Sequence, residues 1–257
     1  MNRDDFWASF APPRDISVEG FASRIDWLFN YITILDAVYF ALVCAGLVGF
    51  CFFYSSKRHP TPYFTYGNKP KHFLSTMAIG LAVFLTIDLF IATRSNTDLQ
   101  EVYWNFPDEK SEDVLRVQVQ AQQWAWNFRY AGPDGIFNTL DDVVTLNDLR
   151  IPAGKKVVFQ LTSKDVIHSF YLPNFRVKVD AMPGRISRMW IQSKEEERGR
   201  FEVACAEMCG TYHYKMAAAM TLLSPEDFAD WEREAAVIAL AAKDPDHPEA
   251  LWGWEWE

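Results

Sequence analysis

Apolar positions dominate residues 27–54, with Asn30 and Asp36 as interruptions near the start. About 20 such residues cross a bilayer as a helix, so this run predicts a membrane span. Residues 73–93 predict a second one. Within the first, Ala37, Ala41, Ala45 and Gly49 recur every fourth residue and line one helix face with small side chains. A stripe of that kind lets another helix approach closely, and the second span is the expected neighbour.

Beyond a polar connector (residues 95–113) the period changes. Val117, Val119 and Ala121 alternate with Arg116, Gln118 and Gln120, which predicts a half-buried strand. Trp124, Trp126, Phe128 and Tyr130 alternate in the opposite phase, so the slip at Gln122-Gln123 predicts a bulge or a change of strand. Gly132-Pro133-Asp134-Gly135 is a turn signal. Asn138, Asp141 and Asp142 after it fit no standard calcium-loop spacing and read as a solvated turn.

Further strands are expected at 143–146, 156–162, 166–172, 175–179, 188–192, 201–204 and 217–223. Many short strands between Gly, Pro and Asp turns imply a sandwich or small barrel. Ser224-Pro225-Glu226-Asp227 reads as N-cap, first-turn proline and acidic first turn of a helix running to about Ala242. The division is therefore a segment 1–26, a helical hairpin 27–94, a connector 95–113, a β-domain 114–223, and a helix with a tail carrying Trp252, Trp254 and Trp256 at 224–257.

Charge orients this plan. Lys57, Arg58, Lys69 and Lys71 crowd the loop between the spans, which by the positive-inside rule is cytoplasmic. Both termini and the β-domain are then expected on the outer side. The net charge of −9 belongs to the second part, since residues 1–94 carry 8 Lys+Arg against 7 Asp+Glu and residues 95–257 carry 17 against 27. An acidic domain steers a basic protein partner and repels nucleic acid, although plain solubility accounts for much of it. Asp36 and Asp88 fall near the outer ends of their spans, where interfacial solvation or pairing with another subunit accounts for them. Met1 to Asp5 is acidic and no apolar core follows closely, so no cleaved signal is expected. No C-x-x-C-H occurs, which excludes covalently attached haem on this chain.

The candidate chemistry lies in Cys205-Ala206-Glu207-Met208-Cys209-Gly210-Thr211-Tyr212-His213-Tyr214-Lys215-Met216, a C-x-E-x-C-x3-H-x2-M pattern. Upstream, His168 stands beside a strand-like run. Thiolate and thioether favour copper in its lower oxidation state, and imidazole suits either. Two thiols, two imidazoles and a thioether exceed what one tetrahedral ion needs, which suggests two metal ions bridged by the cysteine sulfurs. Three other readings fit the same residues. They are a Cys205–Cys209 disulfide, a Cys2His2 zinc site that leaves Met216 without a role, and ordinary packing of Cys and Met. Cys44 and Cys51 lie in the first apolar run and read as packing residues.

The Cys205–Met216 stretch resembles the dinuclear copper A loop of cytochrome c oxidase subunit II at every ligand position. His168-Ser169-Phe170-Tyr171-Leu172-Pro173, followed by Lys178-Val179-Asp180-Ala181-Met182-Pro183-Gly184-Arg185, resembles the same family's upstream half-site. The resemblance implies a two-helix transmembrane hairpin, an all-β cupredoxin domain (a Greek-key β-barrel) and a C-terminal helix, in the bacterial inner membrane. It implies copper ligation by His168, Cys205, Cys209, His213, Met216 and the main-chain carbonyl of Glu207. It further implies magnesium or manganese on the Glu207 side chain at the junction with the haem-bearing catalytic subunit I, with Asp180 and Arg185 nearby; a surface role for Glu207 and a structural one for Asp180 and Arg185 stay open.

Gln123-Trp124-Ala125-Trp126 resembles the family's electron-entry patch for cytochrome c, with barrel core as the other reading of Trp124 and Trp126. Ala125 stands where an aromatic residue is usual, so a complex-bound haem c donor fits as well as a soluble one. Lys71-His72-Phe73-Leu74 lacks the family's Glu near the start of the second span, so no proton-entry residue is assigned. The implied function is to accept electrons outside the membrane and pass them to haem for reduction of oxygen to water. The copper subunit of a nitric oxide reductase and a copper-delivery module are the alternatives.

Overall fold

A computed structural model of the chain describes residues 13–61 and 66–242. The expected tail with Trp252, Trp254 and Trp256, and residues 1–12 of the N-terminal segment, lie outside them. The described residues form two compact units, one of residues 24–104 and one joining the segment before residue 24 to everything from Asn105 on.

In the helical unit, α1 spans Ala22–Phe53 and α2 spans Pro70–Tyr103, both long and apolar enough to cross a membrane. Proline opens α2, where its missing N–H costs no helical hydrogen bond. Two π-helical turns, Phe84–Asp88 and Leu99–Tyr103, interrupt it. The helix continues past residue 93 into polar sequence because ions tie it down. Arg24 of α1 meets Asp98 at 3.1 Å and Glu101 at 2.6 Å, and Arg94 meets Asp98 at 3.3 Å. The two helices touch where Phe90 packs against Trp27 and Tyr31. Ala37, Ala41 and Ala45 are exposed, so the small-residue stripe does not face α2 as expected. Aromatic side chains at the polar end hold the helices together instead.

The β-domain has ten strands. They are β1 Val114–Gln122, β2 Ala125–Tyr130, β3 Val143–Leu146, β4 Asp148–Pro152, β5 Lys156–Ser163, β6 His168–Leu172, β7 Val177–Ala181, β8 Ser187–Gln192, β9 Gly199–Cys205 and β10 Ala217–Leu223. Two five-stranded sheets form, in the orders β3-β2-β1-β5-β8 and β4-β10-β9-β6-β7. The pairs β1–β5 and β4–β10 are parallel and the others antiparallel, so crossover connections link the two sheets of the cupredoxin-like sandwich. Phe170 of the second sheet meets Phe159 and Phe128 of the first with ring centroids 5.3 and 6.2 Å apart, and all three are fully buried.

Several local expectations change. The slip at Gln122-Gln123 is a change of strand, because β1 and β2 pair as a hairpin through Gln122 and Ala125. Gln118 and Gln120 are buried along with Val117 and Val119, so β1 is covered on both faces. Part of the covering chemistry is visible: the Gln118 amide bonds Gln160, and Gln160 bonds Glu109 of the connector. Strand β4 was not anticipated; it is short, begins in charge and ends in proline, which hides the strand period. The run expected at 175–179 splits into a 3-10 turn, Pro173–Phe175, and β7, with Arg176 in the left-handed region between them (φ 60°). The acidic turn is not merely solvated. Asp142 is buried against Arg129 at 2.8 Å and accepts from the Asn138 amide, while Asp141 accepts from the Thr139 hydroxyl.

The chain before α1 is a strap on the β-domain. Ile16 is fully buried and bonded to Asn174 and Lys194, Arg14 pairs with Glu197 through its two terminal guanidinium nitrogens, and Phe21 meets Trp190 edge-on. At the other end α3, Pro225–Ala242, forms where expected. Ser224 caps it by accepting from the Asp227 amide, and Phe228 and Trp231 pack on Tyr130.

Candidate metal centre

Three connections meet at one end of the sandwich: the β1–β2 turn, the β5–β6 loop and the long β9–β10 loop. Strand β6 begins at His168, which places that imidazole at the sheet's end and fully buried. Strand β9 ends at Cys205 and β10 begins after Met216. The base of the β9–β10 loop is pinned, since Cys205 N–H donates to the Met216 carbonyl and Ala206 N–H to the Ser169 carbonyl. A 3-10 turn, His213–Lys215, then folds the loop back on itself.

The donor atoms gather. Sulfurs of Cys205 and Cys209 lie 3.8 Å apart, and both thiols are free. His168 Nδ1 is 4.0 Å from Cys205 Sγ and 3.1 Å from Met216 Sδ. On the other side His213 Nδ1 is 3.6 Å from Cys209 Sγ, which is itself 3.7 Å from Met216 Sδ. The Glu207 carbonyl accepts from Cys205 Sγ at 3.2 Å, while the Glu207 side chain is exposed. All six groups expected from the sequence are thus in one cluster. His168, Cys209 and Met216 are buried, Cys205 and His213 half-buried.

Proton affinities separate the two thiols. Burial pushes Cys205 up, but the neighbouring His168, with the Ser169 and Glu207 backbone, outweighs it and brings the thiol down to about 6. Burial and then the Cys205 charge push Cys209 up to about 12. Ionising the first thiol thus opposes ionising the second.

His168 has a fixed orientation. Its Nε2 meets Asp165 Oδ1 at 2.9 Å, so that a metal taking the place of any Nδ1 proton would find that nitrogen aimed at the sulfurs. Asp165 also accepts from the main-chain amides of Gln123 and Val166. Sequence reasoning passed over it; an Asp three residues before a candidate ligand His was the available signal. Val166 and Ile167, expected within the strand, are exposed in the loop that Asp165 closes.

Trp124 is half-buried at the β1–β2 turn, donates its indole N–H to the Cys209 carbonyl and meets Tyr212 edge-on. Trp126 has no exposed surface and packs edge-on against Phe170 and His168, which fits the core reading. Asp180 pairs in register with Ser169 across β6–β7, half-buried, and Arg185 lies exposed in the turn closed by its amide on Met182. The centre joins neither to the Cys205–Met216 loop.

The donor set could hold a metal ion. In a Cys2His2 zinc site Met216 would stand aside, yet the residue is 2% exposed and its sulfur lies between His168 and Cys209. Soft sulfur donors in surplus of one tetrahedral ion fit a pair of coppers.

Residues 133–223 match the family described as cytochrome C oxidase subunit II, periplasmic domain. Over 149 residues the chain is 36% identical to the alternative cytochrome c oxidase subunit 2 of Bradyrhizobium diazoefficiens, covering 49% of this chain and 53% of that protein. The chain thus spans about half the length of that relative. Over 251 residues it is 28% identical to the probable cytochrome c oxidase subunit 2 of Rickettsia felis, covering 92% of this chain and 74% of that one. The crystal structure of the periplasmic domain of subunit II of cytochrome oxidase of Bradyrhizobium japonicum is 29% identical and covers 48% of this chain and 94% of its own, with a TM-score of 0.43.

Proposed function

We propose that this chain, whose β-domain belongs to the cytochrome c oxidase subunit II family, is the electron-accepting subunit of a membrane haem-copper oxidase. In this reading His168, Cys205, Cys209, His213, Met216 and the Glu207 carbonyl hold two coppers, and the catalytic subunit beside it reduces oxygen to water. The observation that carries it is the place of Met216, whose buried sulfur lies 3.1 Å from His168 Nδ1 and 3.7 Å from Cys209 Sγ.

Held by these residues, a copper pair would supply a one-electron relay. The chain's own residues keep that relay stiff and dry. Asp165 holds the His168 ring in one tautomer, and the paired ends of β6, β9 and β10 fix the loop bases. Met216 and the Glu207 carbonyl would be the weak donors that tune the relay's potential. The Glu207 side chain, exposed beside the cluster, is suited to a hard cation such as magnesium or manganese at the junction with the catalytic subunit. Asp180 and Arg185 belong to the same junction in this reading. Trp124, touching the cluster through Cys209, is the entry point for electrons from a cytochrome c or a complex-bound haem c.

Burial of His168, Cys209 and Met216 argues against a delivery protein, which needs ligands a partner can reach. Orientation in this reading follows from charge. The basic loop at Lys57, Arg58, Lys69 and Lys71 favours the cytoplasm.

The test is metal analysis of the full chain. Two coppers per chain with a purple mixed-valence spectrum, lost in Cys209→Ser, are expected. Zinc, a single ion or a Cys205–Cys209 disulfide in the active complex overturns the assignment. Protease cleavage of the β-domain from the cytoplasmic side of sealed membranes overturns the orientation.

A further inference from the structure

We infer that Gln123 is a positioning residue for the metal centre, joining its two ligand-bearing segments through a single side chain and its own backbone. The inference rests on the dinuclear copper assignment. The ligands come from segments far apart in sequence: His168 opens β6, and the other side chains lie between Cys205 and Met216. Away from their strand ends, something must keep these segments in register, because small displacements of a ligand weaken the site and shift its potential.

Gln123 stands between them. Its main-chain N–H donates to Asp165 Oδ2 at 2.6 Å, and the other oxygen of that carboxylate accepts from His168 Nε2 at 2.9 Å. Its side-chain Nε2 donates to the Cys209 carbonyl at 2.8 Å. One residue of the β1–β2 turn is therefore one carboxylate away from the imidazole and one peptide unit away from the second thiol. Trp124 donates to the same Cys209 carbonyl at 3.3 Å, so two adjacent donors converge on one acceptor.

The loop is shaped to admit this approach. Gly210 follows Cys209 with φ +115°, and a Cβ there would stand 2.9 Å from Gln123 Nε2 and 3.2 Å from the Trp124 ring. The side chain of Gln123 is placed on an otherwise exposed turn, where nothing in core packing calls for a glutamine. Its hydrogen bond to Cys209 is what the position provides.

The brace has a chemical consequence. Two N–H donors on the Cys209 carbonyl draw charge from that peptide and hold it in place beside the thiol. They also set the direction of the Cys209 Cα–Cβ bond and thus the sulfur's aim. Removing the side-chain arm should loosen the Cys209 segment and leave the His168 arm, which uses the main chain, in place.

The experiment uses the full chain loaded with copper, as the native sequence and as Gln123→Met, Gln123→Glu and Asp165→Asn. Methionine keeps the length of the side chain without a donor; glutamate keeps its shape and sets a carboxylate against a carbonyl. We expect Gln123→Met to retain two coppers but to surrender them to a chelator about ten- to a hundredfold faster, the usual effect of losing an outer partner of a metal ligand. Its copper hyperfine pattern and reduction potential should move as well, which a merely structural turn would leave alone. Gln123→Glu should match or exceed that effect, and Gln123→Met with Asp165→Asn should cost less than the product of the two single effects. A native release rate, spectrum and potential in both Gln123 variants, with two coppers in the native chain, overturns the brace alone. A native chain without two coppers overturns the dinuclear assignment, and the brace with it.

Discussion

The indole N–H of Trp124 donates to the main-chain carbonyl of Cys209 across 3.3 Å, while the ring stays half-exposed and edge-on to Tyr212. A surface aromatic is thereby one hydrogen bond from the main chain of a residue whose sulfur belongs to the cluster. We expect Trp124→Ala to slow reduction by the donor roughly tenfold or more, the scale of a central aromatic anchor worth about 2 kcal/mol. The copper spectrum should persist. Stopped-flow reduction at native rates would move the entry point elsewhere.

Trp126 should behave otherwise. With no exposed surface, it is a core ring against Phe170, and its indole nitrogen finds no partner. Trp126→Ala should cost about 3–5 kcal/mol in denaturant unfolding of the β-domain. Trp126→Phe should cost less, since a ring remains and an unpaired donor goes, and the folded protein should keep its rate of reduction by the donor.

Met216→Leu replaces a buried thioether with a side chain of similar volume, so stability should fall by less than about 1.5 kcal/mol. Both coppers should stay, the reduction potential should shift and turnover should slow. Unchanged potential and turnover would remove Met216 from the ligand set.

Gly210→Ala meets two obstacles. At φ +115° a side chain is strained by about 1–3 kcal/mol, and the new Cβ falls 2.9 Å from Gln123 Nε2. Lower thermal stability together with faster copper loss is expected. A variant as stable and as retentive as the native chain would show that the loop can yield there.

Far from the metal, Arg129 and Asp142 form a fully buried ion pair at 2.8 Å. Burial lowers the proton affinity of Arg129, and Asp142 opposes that effect. Arg129→Met alone should cost about 3–5 kcal/mol because it strands the carboxylate. Arg129→Met combined with Asp142→Leu should recover part of that loss. Equal costs for the single and double variants, measured by chemical unfolding, would refute the pairing as the cause.

The chain itself determined its helices, most of its strands and its metal donors. Apolar length fixes α1 and α2 as spans, alternation marks β1 and β2, and Ser224-Pro225-Glu226-Asp227 writes the start of α3. The spacing from Cys205 to Met216 holds the donors in one short loop, where few arrangements are open to them. Other features are decided only when distant segments meet. Gln118 reads as an outward polar residue and is buried, because the far side of β1 is covered from elsewhere in the chain. Asp142 reads as a solvated turn residue until Arg129 arrives beside it. Asp165 and Gln123 carry no local mark of their roles, since those arise where loops from β1, β5 and β9 converge at one end of the sandwich. Local pattern records what a residue does to its own backbone and hydration, whereas a partner forty or eighty residues away is set by how the sheets close.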